Sequence, residues 1–338
     1  QGADAIFTTH PYDDQRGLMS DSGTPGDLLL PWRTTASLLG GAKFVGSIQL
    51  PHGSKNRLFQ RPNAEMLMVV WSDHRTREII YLGDKVSIVD VWGRTRIPRR
   101  SGSRQMVDVD RLPVFVRGLN PHVARLRMSV KFDELHIPSV FGKPHSNQIQ
   151  FHNEFPQGVG GTLSIKAPDG WQISPDRIDL KMAADDHIRK QFEVSLPFDA
   201  NSGLVPIRID FDVVADKSYK FSVYRELDVG DGQLEIDIHT RLEKDGDLIV
   251  EQRMTNRSDR LVDFKCLLYA LGSPATSESP GVPQRRRQRT QVFRLGNTPD
   301  VKSYRYPNGA ELLGTQMWLR AEEIDGSRVL NYRFDVER

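Results

Sequence analysis

Cysteine is almost absent from this sequence. Only one of the 338 residues is a cysteine, so no internal disulfide can form. This residue, Cys266, alternates with Phe264 and Leu268 in an apolar run, as expected for one face of a strand. We therefore predict that Cys266 is a small buried side chain and not a reactive thiol.

An excess of charge of one sign is absent as well. The chain has 46 Lys and Arg against 44 Asp and Glu, a formal net charge of +2, so no overall field favours nucleic acid. No apolar run approaches the roughly 18 residues that a membrane span needs. Gln1 is followed by no basic and apolar leader, which is typical of a mature or excised fragment. We expect an extracytoplasmic or secreted protein that binds no nucleic acid and has no membrane span.

Motifs that carry catalysis or bind metals are also missing. The nine histidines show no H-x-x-x-H spacing, so no zinc site is predicted. The sequence has no G-x-S-x-G elbow and no Walker glycine loop. Adjacent carboxylates occur at residues 13–14, 185–186 and 322–323, but neighbours on a strand point to opposite faces. The sequence therefore predicts no catalytic residue, no metal and no cofactor.

Short apolar runs between tight polar turns make up most of the chain. In residues 65–94, EMLMVVWSD and EIIYLGDKVSIVDVWGR flank the turn HRTR, a pattern typical of antiparallel strands. Both faces of EMLMVVW are apolar, which indicates a strand buried on both sides. After residue 148, turn residues recur roughly every ten positions, as in immunoglobulin-like sandwiches. The predicted fold is mainly β: three consecutive β-sandwich (immunoglobulin-like) domains with one N-terminal helix.

The predicted helix follows an irregular leader at residues 1–30. Pro31 suits a first helical turn, and Gly40 with Gly41 ends the helix. Its predicted apolar stripe consists of Trp32, Ala36, Leu38 and Leu39. Because the sequence offers no second helix as a partner, this helix must dock on the sheet or on something outside the chain.

Two boundaries divide the chain into predicted domains at residues 1–145, 146–228 and 229–338. Residues 120–147 are interpreted as a strand followed by a link rich in proline and glycine, which suits a domain junction. The last domain begins with two alternating runs around KDGD, where Asp-Gly favours a tight hairpin turn.

Four segments of residues 25–120 form a further pattern: LLLPWRTTASLLGGAKFVGSIQLP, MLMVVWSD, VSIVDVWGR and LPVFVRGLNP, with a D-x-(W/F)-G turn that starts at Asp90. With these segments, residues 25–120 resemble the C-terminal β-sandwich region of bacterial glycoside-hydrolase-like proteins. In such proteins the last helix of a (β/α)8 barrel leads into an attached sandwich. A barrel needs about 200–250 residues, for which the chain has no room before this region. The resemblance therefore implies a missing catalytic barrel domain that would pack on residues 25–50.

The middle of the chain contains APDGW at residues 167–171, the Ser174-Pro175 pair and FEVSLPFDANSGLVPIRIDFDV. With these pieces it resembles the NEW3 module, which accompanies galactosidase and other carbohydrate-active domains. This resemblance implies an immunoglobulin-like spacer or packing module with no catalytic residue.

Two groups of residues are candidates for binding a polysaccharide. Tyr304 and Tyr306 share one strand face, and an Asn-Gly turn separates them from Trp318 and Arg320. Exposed rings stack well on ligands, so these four residues form the predicted glycan platform; packing of Trp318 against a neighbouring domain is the alternative. The second candidate is an anion patch, with a solvated loop as the alternative: Arg285, Arg286, Arg287 and Arg289.

Three functional hypotheses remain open from the sequence. The leading one is a non-catalytic ancillary region of a carbohydrate-active protein, which gives structural support and binds glycan. The first alternative is a polysaccharide-active enzyme with a carboxylate site between domains. The second is a cell-surface protein-interaction module, which predicts an exposed apolar patch near the helix and leader.

Overall fold

Six β-sheets, paired into three sandwiches, make up the computed structural model. It describes residues 10–13, 17–230, 232–271, 288–296 and 298–336. Within these ranges the chain forms 25 strands and two α-helices, so the predicted mainly β fold is confirmed. Neither of these helices is long and apolar enough to cross a membrane.

The first domain pairs a six-stranded sheet with a three-stranded sheet. Its strands are β1 (Lys43–Gly46), β2 (Lys55–Gln60), β3 (Met66–Trp71), β4 (Thr76–Ile80), β5 (Ser87–Val89), β6 (Thr95–Arg96), β7 (Arg99–Ser101), β8 (Arg104–Val109) and β9 (Val114–Leu119). The strand orders are β1-β2-β3-β9-β5-β6 and β4-β8-β7. Apolar residues of both sheets, among them Met68 and Val107, form the core between them.

Strand β3 is buried on both faces, as its sequence predicts. Met66 and Met68 point into the core between the sheets, whereas Leu67 points to the outer face and joins a second cluster with Phe115. Helix α1 (Leu29–Leu39) covers this outer face and adds Leu38 to the cluster. Of the two alternatives that the sequence leaves open for this helix, the structure shows docking on the sheet.

The apolar stripe predicted for α1 is partly wrong. The helix contacts the sheet through Thr34 and Leu38, which are both buried. Trp32 is 37% exposed, and Ala36 is exposed too. The helix is thus rotated away from its predicted stripe, because a threonine occupies one of the core-facing positions.

A second helix, α2 (Pro121–Ser129), lies where the sequence predicted a strand. The Asn120 side chain accepts hydrogen bonds from the backbone N–H groups of His122 and Val123, each at 3.0 Å, which caps the helix N-terminus. Pro121 occupies a first-turn position, which the fixed φ of proline favours. The structure thus contains the predicted N-terminal helix, α1, and adds α2 at a position where the sequence predicts a strand.

The middle domain pairs a four-stranded sheet with a five-stranded sheet. Its strands are β10 (Lys131–Phe132), β11 (His136–Pro138), β12 (Pro144–His152), β13 (Val159–Lys166), β14 (Gln172–Ser174), β15 (Arg177–Met182), β16 (His187–Ser195), β17 (Gly203–Val214) and β18 (Ser218–Gly230). The orders are β10-β12-β16-β14 and β11-β18-β17-β13-β15. The β11–β18 pair is parallel, and Phe192 and Phe211 lie in the shared core.

The third domain pairs a three-stranded sheet with a four-stranded sheet. Its strands are β19 (Leu234–Leu242), β20 (Leu248–Asn256), β21 (Val262–Ala270), β22 (Arg289–Leu295), β23 (Asp300–Tyr306), β24 (Gln316–Glu323) and β25 (Val329–Asp335). The orders are β19-β20-β23 and β22-β21-β24-β25. Cys266 is fully buried in this core, as predicted, and burial raises the pKa of its thiol to about 12.

The strand pairing bears on where the first two domains meet. Strand β10 pairs with β12, and β11 pairs with β18, so residues 131–138 belong to the sheets of the middle domain. We propose to place the boundary before Lys131 rather than at the predicted residue 145, and we keep the predicted boundary near residue 229.

Candidate functional site

The predicted glycan platform does not form an exposed surface. Tyr304 and Tyr306 share one face of β23, but this face points into the core, and Tyr304 is only 2% exposed. The Tyr304 hydroxyl donates a hydrogen bond to Gln252 Oε1 at 2.6 Å, and the Tyr306 hydroxyl donates to the Leu268 carbonyl at 3.3 Å. The role predicted for these two rings is therefore wrong, because they are part of the packing of the third domain.

Trp318 points away from the core of the third domain, on the opposite face of β24 to Met317 and Leu319. Other side chains cover it there. Its indole is 7% exposed, stacks on Tyr269 with ring centroids 5.2 Å apart, and donates to Asn331 Oδ1 at 3.0 Å. The guanidinium of Arg333 lies 5.6 Å from its ring. The neighbouring Arg320 donates to the Phe198 carbonyl at 2.8 Å, so this face of β24 and β25 meets the middle domain.

A polar contact joins the middle and third domains at this face. We call it the polar clasp and define it as residues 198–202 together with Trp318, Arg320, Asn331 and Arg333. The fully buried Asn331 side chain donates to the carbonyls of Phe198 and Ala200 at 3.2 and 3.1 Å. Its backbone exchanges hydrogen bonds with Ser202, and Arg333 forms an ion pair with Asp199 at 3.0 Å.

Helix α2 joins the first and middle domains by a mostly apolar contact. Val123 and Leu126 lie in the core of the middle domain, whereas Ala124 is part of the core of the first domain and Met128 packs against it. On the same helix, the Arg127 Nε donates to the Ser222 carbonyl at 3.0 Å. Burial lowers the pKa of Arg127 to about 10. One short helix therefore contributes to two hydrophobic cores, and we call this contact the α2 junction.

Most of the predicted anion patch cannot be placed. Arg285, Arg286 and Arg287 lie outside the described residues. Arg289, at the start of β22, donates to the Arg305 carbonyl at 3.1 Å, and its guanidinium lies 4.9 Å from the Tyr306 ring. The Arg289 side chain therefore packs on the surface of the third domain. Binding of acidic polysaccharide by the anion patch stays a prediction.

A cleft between the first and middle domains is lined by carboxylates. Its volume is about 370 Å³, and Asp210 and Asp212 of β17 line it together with Arg104 of the first domain. Both carboxylates have partners: the Ser222 hydroxyl donates to Asp210 at 2.6 Å, and Lys220 lies 2.8 Å from Asp212. Across the described ranges, no three His, Cys, Asp or Glu side chains are grouped so that they could hold a metal ion.

A second open groove surrounds Trp92 in the first domain. It has a volume of about 360 Å³, and we call it the Trp92 groove. Trp92 is 43% exposed, and Leu112, which lines the same groove, is 51% exposed. The residues that line it are Arg75, Asp90, Val91, Trp92, Arg96, Asp108, Val109, Asp110, Leu112, Pro113 and Val114.

A tight turn fixes the position of Trp92. Asp90 Oδ1 accepts hydrogen bonds from the backbone N–H groups of Trp92 and Arg94, each at 3.0 Å, and Gly93 adopts a φ of 87°, which glycine tolerates best. Burial disfavours the ionised form of Asp90, but the hydrogen bonds from Arg94 and Trp92 outweigh it and lower its pKa. In the D-x-W-G motif the tryptophan lies within this turn, and its exposure is the feature that the glycan prediction missed.

The comparison with protein families matches a segment of the middle domain. Residues 154–213 match the family model described as NPCBM-associated, NEW3 domain of alpha-galactosidase, so this segment is a NEW3-type module. No curated protein matches the sequence.

Two of the solved structures that the chain is similar to are distant in sequence. A Salmonella alpha-2-macroglobulin mutant, Y1175G, is 10% identical with a TM-score of 0.34, and the match covers 87% of this chain and 24% of that one. A DUF4785 family protein from Legionella pneumophila is also 10% identical, with a TM-score of 0.24 and coverage of 89% and 94%. The chain thus spans about a quarter of the length of the macroglobulin.

Proposed function

We propose that the chain is a non-catalytic, ancillary region of a carbohydrate-active protein, in which the NEW3-type module holds its two neighbours in a fixed arrangement. The match of residues 154–213 to a module associated with alpha-galactosidase supports a carbohydrate-active setting. The same association supports an extracytoplasmic or secreted location. As its partners we propose a polysaccharide and a catalytic barrel domain.

The observation that carries the structural role is the polar clasp. Asn331 satisfies its side-chain amide with two carbonyls of the middle domain and one indole N–H of the third. Buried hydrogen bonds of this kind are directional and costly to leave unmade. A flexible linker would need none of them. The clasp therefore favours a rigid connection between the middle and third domains.

The test is small-angle X-ray scattering of the full chain with Asn331→Ala. We expect the wild-type profile to fit one rigid arrangement, and the variant to show a larger and broader distribution of dimensions. Gln191→Ala is the matched control, because it removes an exposed amide from the outer face of β16. Identical flexibility of all three proteins would contradict the structural role.

The enzyme hypothesis has one specific observation in its favour, the carboxylate-lined cleft between the first and middle domains. Hydrolysis of a glycosidic bond uses two carboxyl groups on either side of the scissile bond. A reducing-end assay on neutral and acidic polysaccharides tests it. If activity appears and Asp210→Asn or Asp212→Asn abolishes it, the non-catalytic proposal is wrong; absence of activity over all substrates supports the proposal.

The proposed barrel partner, and equally a protein-interaction module, would use the exposed side of α1. Leu28, Leu30 and Trp32 leave an apolar surface at this end of the first domain, and such surfaces mark contacts with other proteins or domains. We expect the full chain to bind an apolar fluorescent dye, and the double variant Leu30→Ser with Trp32→Ser to bind less. Equal binding by the two proteins would argue against a docking role for this side of α1.

A further inference from the structure

We propose that the Trp92 groove binds an acidic sugar residue of a polysaccharide chain. The inference rests on the proposed carbohydrate-active function and adds to it a site and a class of ligand. The site lies on the first domain, outside the segment that matches the NEW3 family model.

The first step of the argument is the apolar platform. The Trp92 and Leu112 side chains are 43% and 51% exposed, and Pro113 lies beside them in the same groove. An exposed indole offers a large, rigid apolar face with a polar edge, which favours recognition of amphipathic ligands. The hydrogen bonds of the Asp90 turn fix the backbone at Trp92 before any ligand binds, and the Arg94 guanidinium lies 5.2 Å from the indole ring, which reduces the ordering cost of binding.

The second step is the balance of charge around the platform. Each carboxylate of the groove already accepts a hydrogen bond from the protein. Asp90 is paired with Arg94 at 2.6 Å, Asp108 with Arg77 at 2.6 Å, and Asp110 accepts from the Leu112 backbone N–H at 2.9 Å. These three carboxylates therefore repel an incoming anion less than unpaired ones would.

The carboxylates of the groove have partners within the protein, whereas two of its arginines have none in the described part of the chain. Among the described residues, no side chain or carbonyl pairs with the guanidinium groups of Arg75 and Arg96. A guanidinium has a planar fork of donors that matches a carboxylate or sulfate in two parallel hydrogen bonds. Two free forks beside an exposed indole are complementary to a ring that carries an anionic group, as in a uronic acid or a sulfated sugar.

The third step is size. A volume of about 360 Å³ lies at the small end of the roughly 300–1,000 Å³ that small-molecule sites occupy. The groove is partly open to solvent, so one unit of a polymer can occupy the platform while the rest of the polymer stays in solvent. This geometry suits one sugar unit within a chain more than a long buried oligosaccharide.

The experiment is isothermal titration of the full chain with three polymers at low ionic strength. Polygalacturonate supplies carboxylates, dextran sulfate supplies sulfate esters, and dextran is the neutral control. We expect binding to at least one acidic polymer, no binding to dextran, and weaker binding as salt is added. The polymer that binds more tightly identifies the anionic group.

Variants connect the binding to the groove. Trp92→Ala and the double variant Arg75→Gln with Arg96→Gln are each expected to weaken binding at least about tenfold, and Trp92→Phe to retain part of it. Matched controls keep the wild-type affinity: Tyr12→Ala removes another exposed aromatic ring, and Arg99→Gln with Arg253→Gln removes two exposed cations elsewhere. Thermal unfolding checks that every variant is folded.

Three results would overturn the proposal: no binding to either acidic polymer, equal binding to dextran, or equal weakening by groove and control variants. None of these would affect the ancillary structural role, because scattering of the same samples measures the rigidity of the polar clasp independently. Conversely, a flexible chain that still binds through Trp92 would contradict the structural role and leave the groove as a binding site.

Discussion

At the scale of single residues, buried polar groups form a connected network in the core of the third domain. The Tyr304 hydroxyl donates to Gln252 Oε1, and Gln252 Nε2 donates to Cys266 Sγ at 3.3 Å. The thiol in turn lies 3.6 Å from the sulfur of Met254. Because the whole network is buried, each donor and acceptor must find its partner within the protein.

Removal of the Tyr304 hydroxyl tests this network. In Tyr304→Phe the Gln252 carbonyl loses its donor and stays buried, so we expect the free energy of unfolding to fall by about 1–3 kcal/mol. Chemical denaturation of the full chain measures the change. Tyr12→Phe is the control, since the Tyr12 ring is exposed, and its stability should equal that of the wild type. A neutral effect of Tyr304→Phe would show that the network is not stabilising.

The histidine of the middle domain with the clearest ionic surroundings is His152. Its Nδ1 lies 2.9 Å from Glu154 Oε1 and its Nε2 lies 2.9 Å from Asp185 Oδ1. The centroid of the His187 ring, which is tilted by 32° to it, lies 4.5 Å away. Cationic side chains from three elements line the same cleft: Arg125, Lys131 and Arg189. The hydrogen bond to Glu154 is the largest effect and raises the pKa of His152.

The raised pKa of His152 makes the stability of the folded protein depend on pH in a known direction. The charged imidazolium is favoured in the folded state, so the stabilisation is complete below the unfolded pKa of about 6.5 and is lost as pH rises through the folded pKa. We expect an NMR titration to place the pKa of His152 above about 6.5 and Glu154→Gln to lower it. Glu193→Gln, an exposed change on β16, should leave it unchanged. A pKa that is the same in both variants would contradict the assigned cause.

The alternation of residues predicted which side chains share a face but not which face is buried. Tyr304 and Tyr306 do share a face, and Trp318 does lie opposite Met317 and Leu319. A period of two residues is the same whether the aromatic side faces solvent or core. Only the partner sheet, which is distant in sequence, decides between the two. For this reason the strands could be predicted and the binding platform could not.

At the scale of elements, α2 shows how one buried arginine makes a helix difficult to predict from the sequence. Its buried positions are Val123, Ala124, Leu126 and Arg127, and they include the helical spacing of three and four residues. The arginine counts as polar in a periodicity analysis, so the remaining alternation of apolar and basic residues looked like a strand. The Asn-Pro start signal was present at residues 120–121, and it was the only local indication of a helix.

The N-cap of α2 gives a prediction at this scale. Asn120→Ala removes the acceptor of two backbone N–H groups, and we expect the free energy of unfolding to fall by about 0.5–2 kcal/mol. Asn120→Asp keeps the acceptor oxygen and should lose less. Denaturant unfolding of both variants checks this order. If Asn120→Asp is as destabilised as Asn120→Ala, the cap is not the source of the stabilisation.

At the scale of the whole molecule, the middle domain depends on residues before its predicted start. Strands β10 and β11 pair with β12 and β18, and α2 adds Val123 and Leu126 to the core. The sequence identified the NEW3-type repeat of turns but not these additions, because two- and three-residue strands carry almost no periodic pattern.

Fragments of the chain test the boundary. We expect residues 120–230 to unfold cooperatively in a thermal scan and residues 146–228 to unfold without a cooperative transition, because the shorter fragment lacks α2 and exposes the edges that β10 and β11 cover. Circular dichroism at increasing temperature measures both. Cooperative unfolding of the shorter fragment at the same midpoint would support the boundary at residue 145.

The α2 junction and the polar clasp differ in how they would respond to a mechanical load. At the α2 junction two hydrophobic cores share one helix, so the first two sandwiches can part only if apolar packing is broken. The clasp consists of directional contacts, including the partly exposed Arg333–Asp199 pair, which break over short displacements. If the chain is pulled from its ends, we therefore expect the third sandwich to separate first, while the first two sandwiches stay in contact through α2.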